Sequence, residues 1–285
     1  MENNLKQKIG FIGQGWIGKN YADDFEKRGY EVVRYSLEEE YIKNEGEIKN
    51  CHIVFIAVPT PTTEKGFDDS AIRGAIKKVG SGNTAVIKST ILPGTTESIQ
   101  KDNPDIFVLH SPEFLREKTA AFDAANPERN IIGVPKDNEE YRSIARKVLT
   151  VLPKAAFELV CQAKEAEMIK YAGNSFLYLK VIYANLLFDL SEELGCNWEV
   201  VKQAFGADSR IGYSHLDPLS GGRGAGGHCF IKDFAAFVSF YEKNVEDNAG
   251  SIFLRSAETK NIELLLSSEK NLDLLESIYK DKIKK

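Results

Sequence analysis

Short apolar segments alternate with helix-forming segments over about the first 150 residues of the chain. We predict strands at residues 8–12, 31–35, 52–58, 84–88, 106–110 and 130–134, and helices at 16–28, 69–79, 95–101 and 139–149. Segment 52–58 is apolar at nearly every position, which is typical of a strand that is buried on both faces. The alternation predicts an α/β fold of the Rossmann type, with a doubly wound parallel sheet.

The pattern changes near residue 164. A long helical stretch runs to about residue 194 and ends at Gly195, and a glycine-rich loop then spans residues 206–227. Further helices are predicted at 231–243 and 251–267. A chain of 285 residues is long enough for two domains. We therefore expect a cofactor-binding sheet domain over residues 1–162 and an all-α domain over residues 163–285.

The composition restricts the class of partner. A net charge of −5 argues against a nucleic-acid-binding protein, which needs a basic face. The longest apolar run, residues 53–59, is far shorter than the roughly 20 residues that span a bilayer, and no signal peptide is visible. The four cysteines are far apart and form no Cys-x-x-Cys pair, which argues against a disulfide framework and a zinc site. We expect a cytoplasmic protein without a metal.

Three glycines follow the first predicted strand, in the pattern Gly13-Gln-Gly15-Trp-Ile-Gly18. The first glycine permits a tight turn, the second lets the backbone approach a pyrophosphate, and the third lets helix and strand pack closely. The following helix, which starts with Trp16 and Ile17, would direct its positive N-terminus at the phosphates. This pattern between a strand and a helix predicts a dinucleotide site.

The residue at the end of the second predicted strand distinguishes NAD from NADP. An acidic side chain usually binds the ribose hydroxyls of NAD there, but this chain has Ser36, with Arg34 nearby. Ser36 and Arg34 could accept the 2′-phosphate of NADP, whereas the acidic residues 38–40 would repel it. We favour NAD and keep NADP as the alternative.

Five further segments follow in order. They read Val58-Pro-Thr-Pro61, Lys88-Ser-Thr-Ile-Leu-Pro-Gly94, Ser111-Pro-Glu-Phe-Leu-Arg-Glu117, Lys170-Tyr-Ala-Gly-Asn174 and Gly226-Gly-His-Cys-Phe-Ile-Lys-Asp233. With these segments the chain resembles the UDP-glucose/GDP-mannose dehydrogenase family from about residue 9 to residue 233. The resemblance implies NAD-dependent, four-electron oxidation of a nucleotide sugar of the UDP-glucose type to the uronate.

The residue types in these segments suit that chemistry. Lys170 and Asn174 are four residues apart, so a helix places them on one face, where they could orient a hydroxyl and stabilise an oxyanion. Cys229 follows several glycines, and we expect a helix to begin just after it. A helix N-terminus and the nearby Lys232 both favour the nucleophilic thiolate. The other cysteines lack such surroundings, since one lies in a buried strand and two lie near helix ends: Cys51, Cys161 and Cys196.

The resemblance also implies roles for individual residues. Cys229 captures the aldehyde as a thiohemiacetal, a second oxidation gives a thioester, and water releases the acid. Glu117, Asp233 and Thr90 position that water, while Lys170 and Asn174 stabilise the oxyanions. Cofactor contacts are implied, beyond the glycine loop and Ser36, for Thr60, Pro61, Thr90, Glu117 and Lys232. Substrate contacts are implied for Glu113, Phe114, Leu115, Arg116, Lys170, Asn174, Arg210, Gly226 and Gly227.

The chain departs from the family in its length. Typical members carry a third, C-terminal nucleotide-binding domain, and we expect this chain to be a short form without it. The partner of a dimer could then cover the nucleotide, another protein could supply the missing part, or the substrate could be smaller. Arg210-Ile-Gly212 resembles a family motif whose arginine reaches the neighbouring subunit, which favours the first explanation. His228 and Leu186 are further departures that could reshape the substrate pocket.

Two other functions remain open. The β-hydroxyacid dehydrogenases share a Lys-x-x-x-Asn pair, but they transfer a single hydride and need no cysteine. A second alternative is a non-catalytic paralogue that binds a nucleotide sugar. The helical domain predicts a homodimer, because it would otherwise expose apolar side chains at Phe176, Leu177, Leu179, Ile182, Leu186 and Leu187. The alternative is that this apolar face packs against the first domain. The sequence does not specify the sugar, the nucleotide or the pathway.

Overall fold

A computed structural model describes residues 7–63, 66–219 and 221–283, and it leaves the side chains of Thr63, His228 and residues 281–283 undescribed. The chain forms two compact units. The first unit comprises Met1–Pro61 and Asp68–Lys170, and the second comprises Thr62–Phe67 and Tyr171–Lys285. The predicted domain boundary, between residues 162 and 163, falls at the start of a long helix.

The described residues form nine strands. They are β1 (Ile9–Ile12), β2 (Val32–Tyr35), β3 (Ile53–Ile56), β4 (Thr62–Thr63), β5 (Gly66–Phe67), β6 (Thr84–Ile87), β7 (Phe107–His110), β8 (Arg129–Val134) and β9 (Phe157–Gln162). Seven of them form one sheet in the order β2-β1-β3-β6-β7-β8-β9, whereas β4 and β5 form a separate antiparallel hairpin. The sheet confirms the predicted α/β class.

Twelve α-helices accompany these strands in the described residues. They are α1 (Trp16–Lys27), α2 (Glu39–Ile42), α3 (Glu45–Ile48), α4 (Ser70–Ile76), α5 (Thr95–Asp102), α6 (Ala120–Ala125), α7 (Glu139–Val151), α8 (Ala163–Glu193), α9 (Trp198–Gly206), α10 (Gly227–Asn244), α11 (Asn248–Ser267) and α12 (Leu272–Ile283). Helix α8 ends just before Gly195, which has a φ of 65° and is a typical C-cap. No helix of the described residues has the length and apolarity needed to cross a bilayer.

The central strands of the first unit's sheet are buried on both faces. Every residue of β1, β3 and β6 is buried, as expected for central parallel strands that are covered by helices. Phe11 of β1 stacks on Phe55 of β3 with ring centres 5.1 Å apart, and Phe25 of α1 packs edge-on against Phe11 at 5.3 Å. This aromatic cluster fixes α1, and with it the glycine loop, over the sheet.

The predicted parallel sheet is confirmed except at β8, the strand predicted at residues 130–134. β8 pairs with β7 in the antiparallel sense, with His110 opposite Gly133, and β9 runs parallel to β8. The connection from β7 to β8 contains a 3₁₀ turn at Glu117–Thr119 and the six-residue helix α6. The alternation of strands and helices does not encode this direction.

Gly133 of β8 lets helix α8 approach the sheet closely. An added Cβ at Gly133 would lie 2.7 Å from Ala166 Cβ and 2.8 Å from Ala163 Cα. Because real Cβ contacts are longer than this, a side chain at residue 133 would push the first two turns of α8 away. The start of α8 is therefore fixed against the end of β8.

The second unit is helical apart from the β4–β5 hairpin. Tyr178 of α8 stacks on Phe234 of α10 with ring centres 3.8 Å apart, and Ile182, Val238 and Leu254 complete that core cluster. The prediction that Ile182 is exposed is wrong, since it is 5% exposed. Strand β9 and helix α9 were not predicted; α9 is capped by Asn197, whose side chain accepts the Glu199 N–H.

Candidate active site

The glycine loop of the first unit joins β1 to α1. Gly13 has a φ of 92°, and an added Cβ there would lie 2.2 Å from the Ala57 carbonyl oxygen. An added Cβ at Gly18 would lie 2.0 Å from the Gly13 carbonyl oxygen, whereas one at Gly15 would meet nothing within 4 Å. Gly13 and Gly18 are thus needed for the fold of the loop, and Gly15 leaves open space in front of the helix.

That open space belongs to a cavity of about 810 Å³ at the carboxyl ends of β1, β2 and β3. The strand order reverses here, which is where ligands bind in open α/β sheets. The cavity is lined by four of the five predicted glycine-loop residues (Gly13, Gly15, Trp16 and Ile17), by Ser36, and by Val58 and Pro59 on the far side. The first turn of α1 contains no acidic residue, so its N-terminus suits the pyrophosphate of a dinucleotide.

The end of the cavity beside β2 carries both signs of charge. The guanidinium of Arg34 donates to Asp23 at 2.6 Å and to Glu26 at 2.7 Å, and both acids lie on α1. Ser36 Oγ accepts the backbone N–H of Glu38 at 3.2 Å, and the Glu38 side chain lies beside the cavity. Lys78, which sequence reasoning missed, also lines the cavity; its Nζ pairs with Glu45.

The remaining predicted cofactor residues lie outside the lining of this cavity. Thr60 and Thr90 are buried in the first unit, where Thr60 Oγ1 donates to the Thr90 carbonyl oxygen at 2.9 Å. Pro61 is exposed, as is Glu117, which begins a short 3₁₀ turn. Lys232 belongs to the second unit.

Lys170 and Glu113 form a buried ion pair in the first unit. Lys170 Nζ lies 2.7 Å from Glu113 Oε1 and 2.8 Å from the Glu113 carbonyl oxygen. Their side chains are 6% and 2% exposed, so water screens this pair little. Glu113 Oε2 also accepts the N–H of Leu115 at 2.8 Å. The carboxylate therefore holds the ammonium in one place just beyond the end of β7.

A second buried lysine lies close to this pair. Lys88 Nζ is 3.2 Å from Ser111 Oγ and 4.4 Å from the centre of the Tyr21 ring. Burial lowers the pKa of Lys88 to about 7, with Glu113 opposing this shift and Lys170 adding to it. Sequence reasoning placed Lys88 in a motif but gave it no role, because its burial is not visible in the sequence.

Two further residues of the 111–117 segment, Phe114 and Arg116, are held by contacts with Arg129 and Asp123. The Arg129 guanidinium lies 3.8 Å from the centre of the Phe114 ring. Arg116 donates to Asp123 through its backbone N–H and its guanidinium, and Arg116 beside Asp123 lowers the pKa of that carboxyl to about 2. These contacts give the segment a defined shape up to the exposed Glu117.

Glu167, a residue that sequence reasoning missed, connects α8 to α5. It is fully buried, and its carboxylate accepts the Gly94 N–H at 2.6 Å, the Thr96 N–H at 2.8 Å and the Thr96 hydroxyl at 2.6 Å. Burial raises the pKa of Glu167 to about 7, although these hydrogen bonds oppose the shift. A glutamate three residues before Lys170 is the only signal that the sequence offers for this role.

In the second unit, Asn174 and Asp233 form a partly buried hydrogen bond. Asn174 Nδ2 donates to Asp233 Oδ2 at 2.7 Å, and Lys232 Nζ binds Asp233 Oδ1 at 2.7 Å. Asp233 is 1% exposed. Cys229 is partly exposed and lies four residues before Asp233 on α10, so the thiol and the carboxylate share one face of that helix. Asn174 itself lies one turn after Lys170 on α8.

The start of α10 corrects one prediction. The helix begins at Gly227 rather than just after Cys229, so Cys229 lies in its first turn. The Gly227 N–H donates to the side chain of Asn271 at 2.9 Å, a partner too far along the chain to be recognised from the sequence. Gly226 is the N-cap residue, and Arg210, on a surface loop, is exposed and pairs with Asp208. The His228 side chain lies outside the described residues.

The other cysteines are poor candidates for a nucleophile. Burial raises the pKa of the Cys51 and Cys161 thiols to about 11, and Cys161 lies within β9. Cys196 is exposed after the end of α8. No disulfide joins the four described cysteines.

Two family models match the chain. Residues 42–152 match the NAD binding domain of the UDP-glucose/GDP-mannose dehydrogenase family, and residues 164–262 match the central domain of the same family. The matches follow one another in the chain and together span most of it. The NAD-binding match includes β3, the Lys88–Gly94 segment and the 111–117 segment, and the central-domain match includes α8 and α10.

Individual relatives agree with these matches. A UDP-glucose 6-dehydrogenase of Rickettsia prowazekii (strain Madrid E) is 32% identical over 245 residues, which are 81% of this chain and 55% of that protein. The chain spans about half the length of the curated relatives it matches. A UDP-glucose dehydrogenase of the archaeon Pyrobaculum islandicum has a TM-score of 0.77 at 27% identity, over 90% of this chain and 69% of that one.

A 3-hydroxyisobutyrate dehydrogenase of Mycobacterium tuberculosis also matches in structure. Its TM-score is 0.70 at 15% identity, over 93% of this chain and 95% of that chain. At this identity the likeness shows a common fold alone. The two family models and the Rickettsia relative carry the assignment: the chain belongs to the UDP-glucose/GDP-mannose dehydrogenase family.

Proposed function

We propose that the chain catalyses the NAD-dependent, four-electron oxidation of a nucleotide sugar of the UDP-glucose type to the uronate. The observation that carries this proposal is the arrangement along α8 and α10. Lys170 and Asn174 are one turn apart on α8 and each is held by a buried carboxylate, and Cys229 lies one turn before the second of these acids, Asp233. The name of the Rickettsia relative supports the choice of substrate.

The chain's own residues suit the two oxidation steps. When bound, a nicotinamide cofactor accepts one hydride in each step. Lys170, held by Glu113, and Asn174, held by Asp233, would bind the sugar C6 oxygen as its proton passes to water. The Cys229 sulfur then adds to the aldehyde carbon, and loss of a second hydride from that adduct leaves a thioester. Water replaces the sulfur, which releases the carboxylate and restores the thiol.

We favour NAD over NADP because Arg34, the positive group two residues before Ser36, is already bound. Arg34 is occupied by Asp23 and Glu26, and Glu38 lies beside Ser36 at the cavity. A 2′-phosphate would meet the Glu38 carboxylate there, whereas uncharged ribose hydroxyls would not be repelled. Lys78 does not reverse this balance, since it is paired with Glu45.

We also propose that the chain forms a homodimer through α8. Apolar side chains that are 45% to 67% exposed form one stripe along this helix: Phe176, Tyr183, Leu186 and Leu190, with Leu194 directly after its end. Monomers rarely leave so large an apolar surface uncovered. A second copy of the chain would cover it, and Arg210, which is exposed on its loop, would then be available to the neighbouring subunit.

The test is the stoichiometry of cofactor reduction with a panel of UDP- and GDP-sugars, each with NAD and with NADP. We expect two NADH per acid formed. Cys229→Ser should lower the rate of acid formation by roughly three orders of magnitude or more, as for other nucleophiles. Cys196→Ser is the matched control and should retain the wild-type rate, because its thiol is exposed outside the proposed site.

The outcomes separate the alternatives. One reduced cofactor per product, with an unaffected Cys229→Ser variant, would indicate a two-electron dehydrogenase of the β-hydroxyacid type. Binding of nucleotide sugar and NAD without turnover by the folded chain would indicate a non-catalytic paralogue.

A further inference from the structure

The turn between α11 and α12, residues Ser268–Asn271, contacts the glycine loop that precedes Cys229. Lys270 Nζ donates to the carbonyl oxygens of Gly222 and Gly224, both at 3.1 Å. Asn271 Oδ1 accepts the N–H of Gly227 at 2.9 Å, and Ser268 Oγ accepts the N–H of Arg223 at 3.0 Å. Each of these three side chains therefore hydrogen-bonds to the backbone of the loop.

The turn and the glycine loop are in close contact at Gly226. An added Cβ at Gly226 would lie 2.5 Å from both Asn271 Oδ1 and Lys270 Cε. The turn has a defined backbone shape of its own, since Glu269 and Asn271 have φ values of 53° and 55°. Asparagine tolerates this left-handed conformation better than most residues. Loop and turn are therefore complementary in shape as well as in hydrogen bonding.

These contacts reach the helix that carries Cys229. Gly227 is the first residue of α10, so its N–H is one of those that an α-helix leaves without an internal partner. Asn271 caps this group from outside the helix. Because Cys229 lies two residues later in the same turn, the position and direction of its backbone depend on where α10 begins.

Lys270 also brings a positive charge to this place. Its Cε approaches Gly226, three residues before Cys229, and burial lowers the pKa of the Lys270 ammonium. Lys232, which lies three residues after Cys229 in the sequence, is neutralised by its ion pair with Asp233. A partly buried ammonium beside the first turn of a helix adds to the positive potential that stabilises a thiolate there.

We propose that Lys270 and Asn271 are positioning residues for Cys229, which fix the start of α10 and add positive potential near the sulfur. The proposal rests on Cys229 being the nucleophile of the proposed function. The family match of the central domain ends at residue 262, so neither residue belongs to the region that the family model describes.

The first measurement is hydrogen exchange of the amides of residues 221–229. Lys270→Met and Asn271→Gly should each speed this exchange roughly fivefold to tenfold, the effect of losing a hydrogen bond. Glycine is chosen at position 271 because it removes the acceptor without strain at a positive φ. Lys260→Met, on α11 and paired with Glu263, removes the same charge away from the loop and should leave exchange unchanged.

The second measurement is the pH dependence of Cys229 alkylation by iodoacetamide, in a Cys196→Ser background and followed by mass spectrometry. Lys270→Met should move the midpoint upward by about half a pH unit, and Lys270→Arg should restore it. Asn271→Asp keeps the acceptor and adds a negative charge, so it should move the midpoint upward while exchange stays slow. Lys260→Met should again resemble the parent.

Unchanged exchange and an unchanged alkylation profile in both Lys270→Met and Asn271→Gly would overturn the proposal. Neither measurement needs turnover. If no nucleotide sugar is oxidised but the alkylation profile responds as expected, the proposed function fails and the positioning of Cys229 stands. If oxidation proceeds through Cys229 and the profile does not respond, only the positioning role fails.

Discussion

Gly13, Gly15 and Gly18 differ in what a methyl group would meet at each position. At residue 18 it would meet the Gly13 carbonyl oxygen at 2.0 Å, and at residue 15 it would enter the open cavity. Gly18→Ala should therefore destabilise the fold by about 1–3 kcal/mol. Gly15→Ala should change stability by less than about 1 kcal/mol but weaken NAD binding at least tenfold, because the methyl group takes the place of the pyrophosphate.

Thermal unfolding and a calorimetric titration with NAD check this pair of variants. An unchanged affinity in a stable Gly15→Ala variant would show that the cavity does not hold the pyrophosphate.

Single residues also show how far the sequence alone could go. The residues that were singled out, such as Cys229 and Lys170, belong to contiguous motifs whose residue types already suggest their chemistry. Glu167, Lys78 and Lys270 were missed because their importance comes from partners that are distant in sequence. A lysine or glutamate at such a position looks like any solvated side chain until the fold shows it buried.

Among the helices, α8 and α5 are joined by Glu167, and this connection should respond to pH. Burial holds the pKa of Glu167 at about 7, above its usual 4.5. Between these values the folded chain keeps a proton that the unfolded chain loses, so the free energy of unfolding falls as pH rises from 4.5 to 7. Glu167→Gln should remove this contribution, which is on the order of 3 kcal/mol.

Urea unfolding at pH 5 and pH 7.5 provides the measurement. Glu192→Gln, an exposed position on the same helix, is the control and should keep the wild-type difference between the two pH values. A Glu167→Gln variant with the same pH difference as wild type would contradict the assignment.

Strands and helices could be predicted where the sequence carries a strong local pattern. The wholly buried strands β1, β3 and β6 and the long helix α8 were identified, because apolar runs and a long uninterrupted stretch are strong local signals. The direction of β8 was not, since the alternation of strands and helices looks the same for a parallel and an antiparallel strand. Strand β9 was missed because Glu158 and Gln162 interrupt its apolar residues, which is typical of a strand at a sheet edge.

For the whole molecule, the exposed stripe of α8 predicts the oligomeric state. Replacing both Leu186 and Leu190 with glutamate places two charges in the proposed interface, where they would lose water on association. Light scattering should show a wild-type mass of twice 31.8 kDa and a variant mass of 31.8 kDa.

Ile252→Glu is the matched control for this experiment. It replaces an equally exposed apolar side chain on α11, away from the stripe, and should stay dimeric. A monomeric wild type, or a double variant that still associates, would contradict a dimer through α8.

The close approach of α8 to Gly133 fixes the rotation of this helix about its own axis. Gly133 contacts the first turn of α8 at Ala163 and Ala166, and Lys170 lies about 6 Å beyond Ala166 along the axis, where it meets Glu113. A helix turns by about 100° for each residue. One residue inserted between Ala166 and Lys170 would aim the ammonium away from its carboxylate, so this short interval can accept substitutions but no change in length.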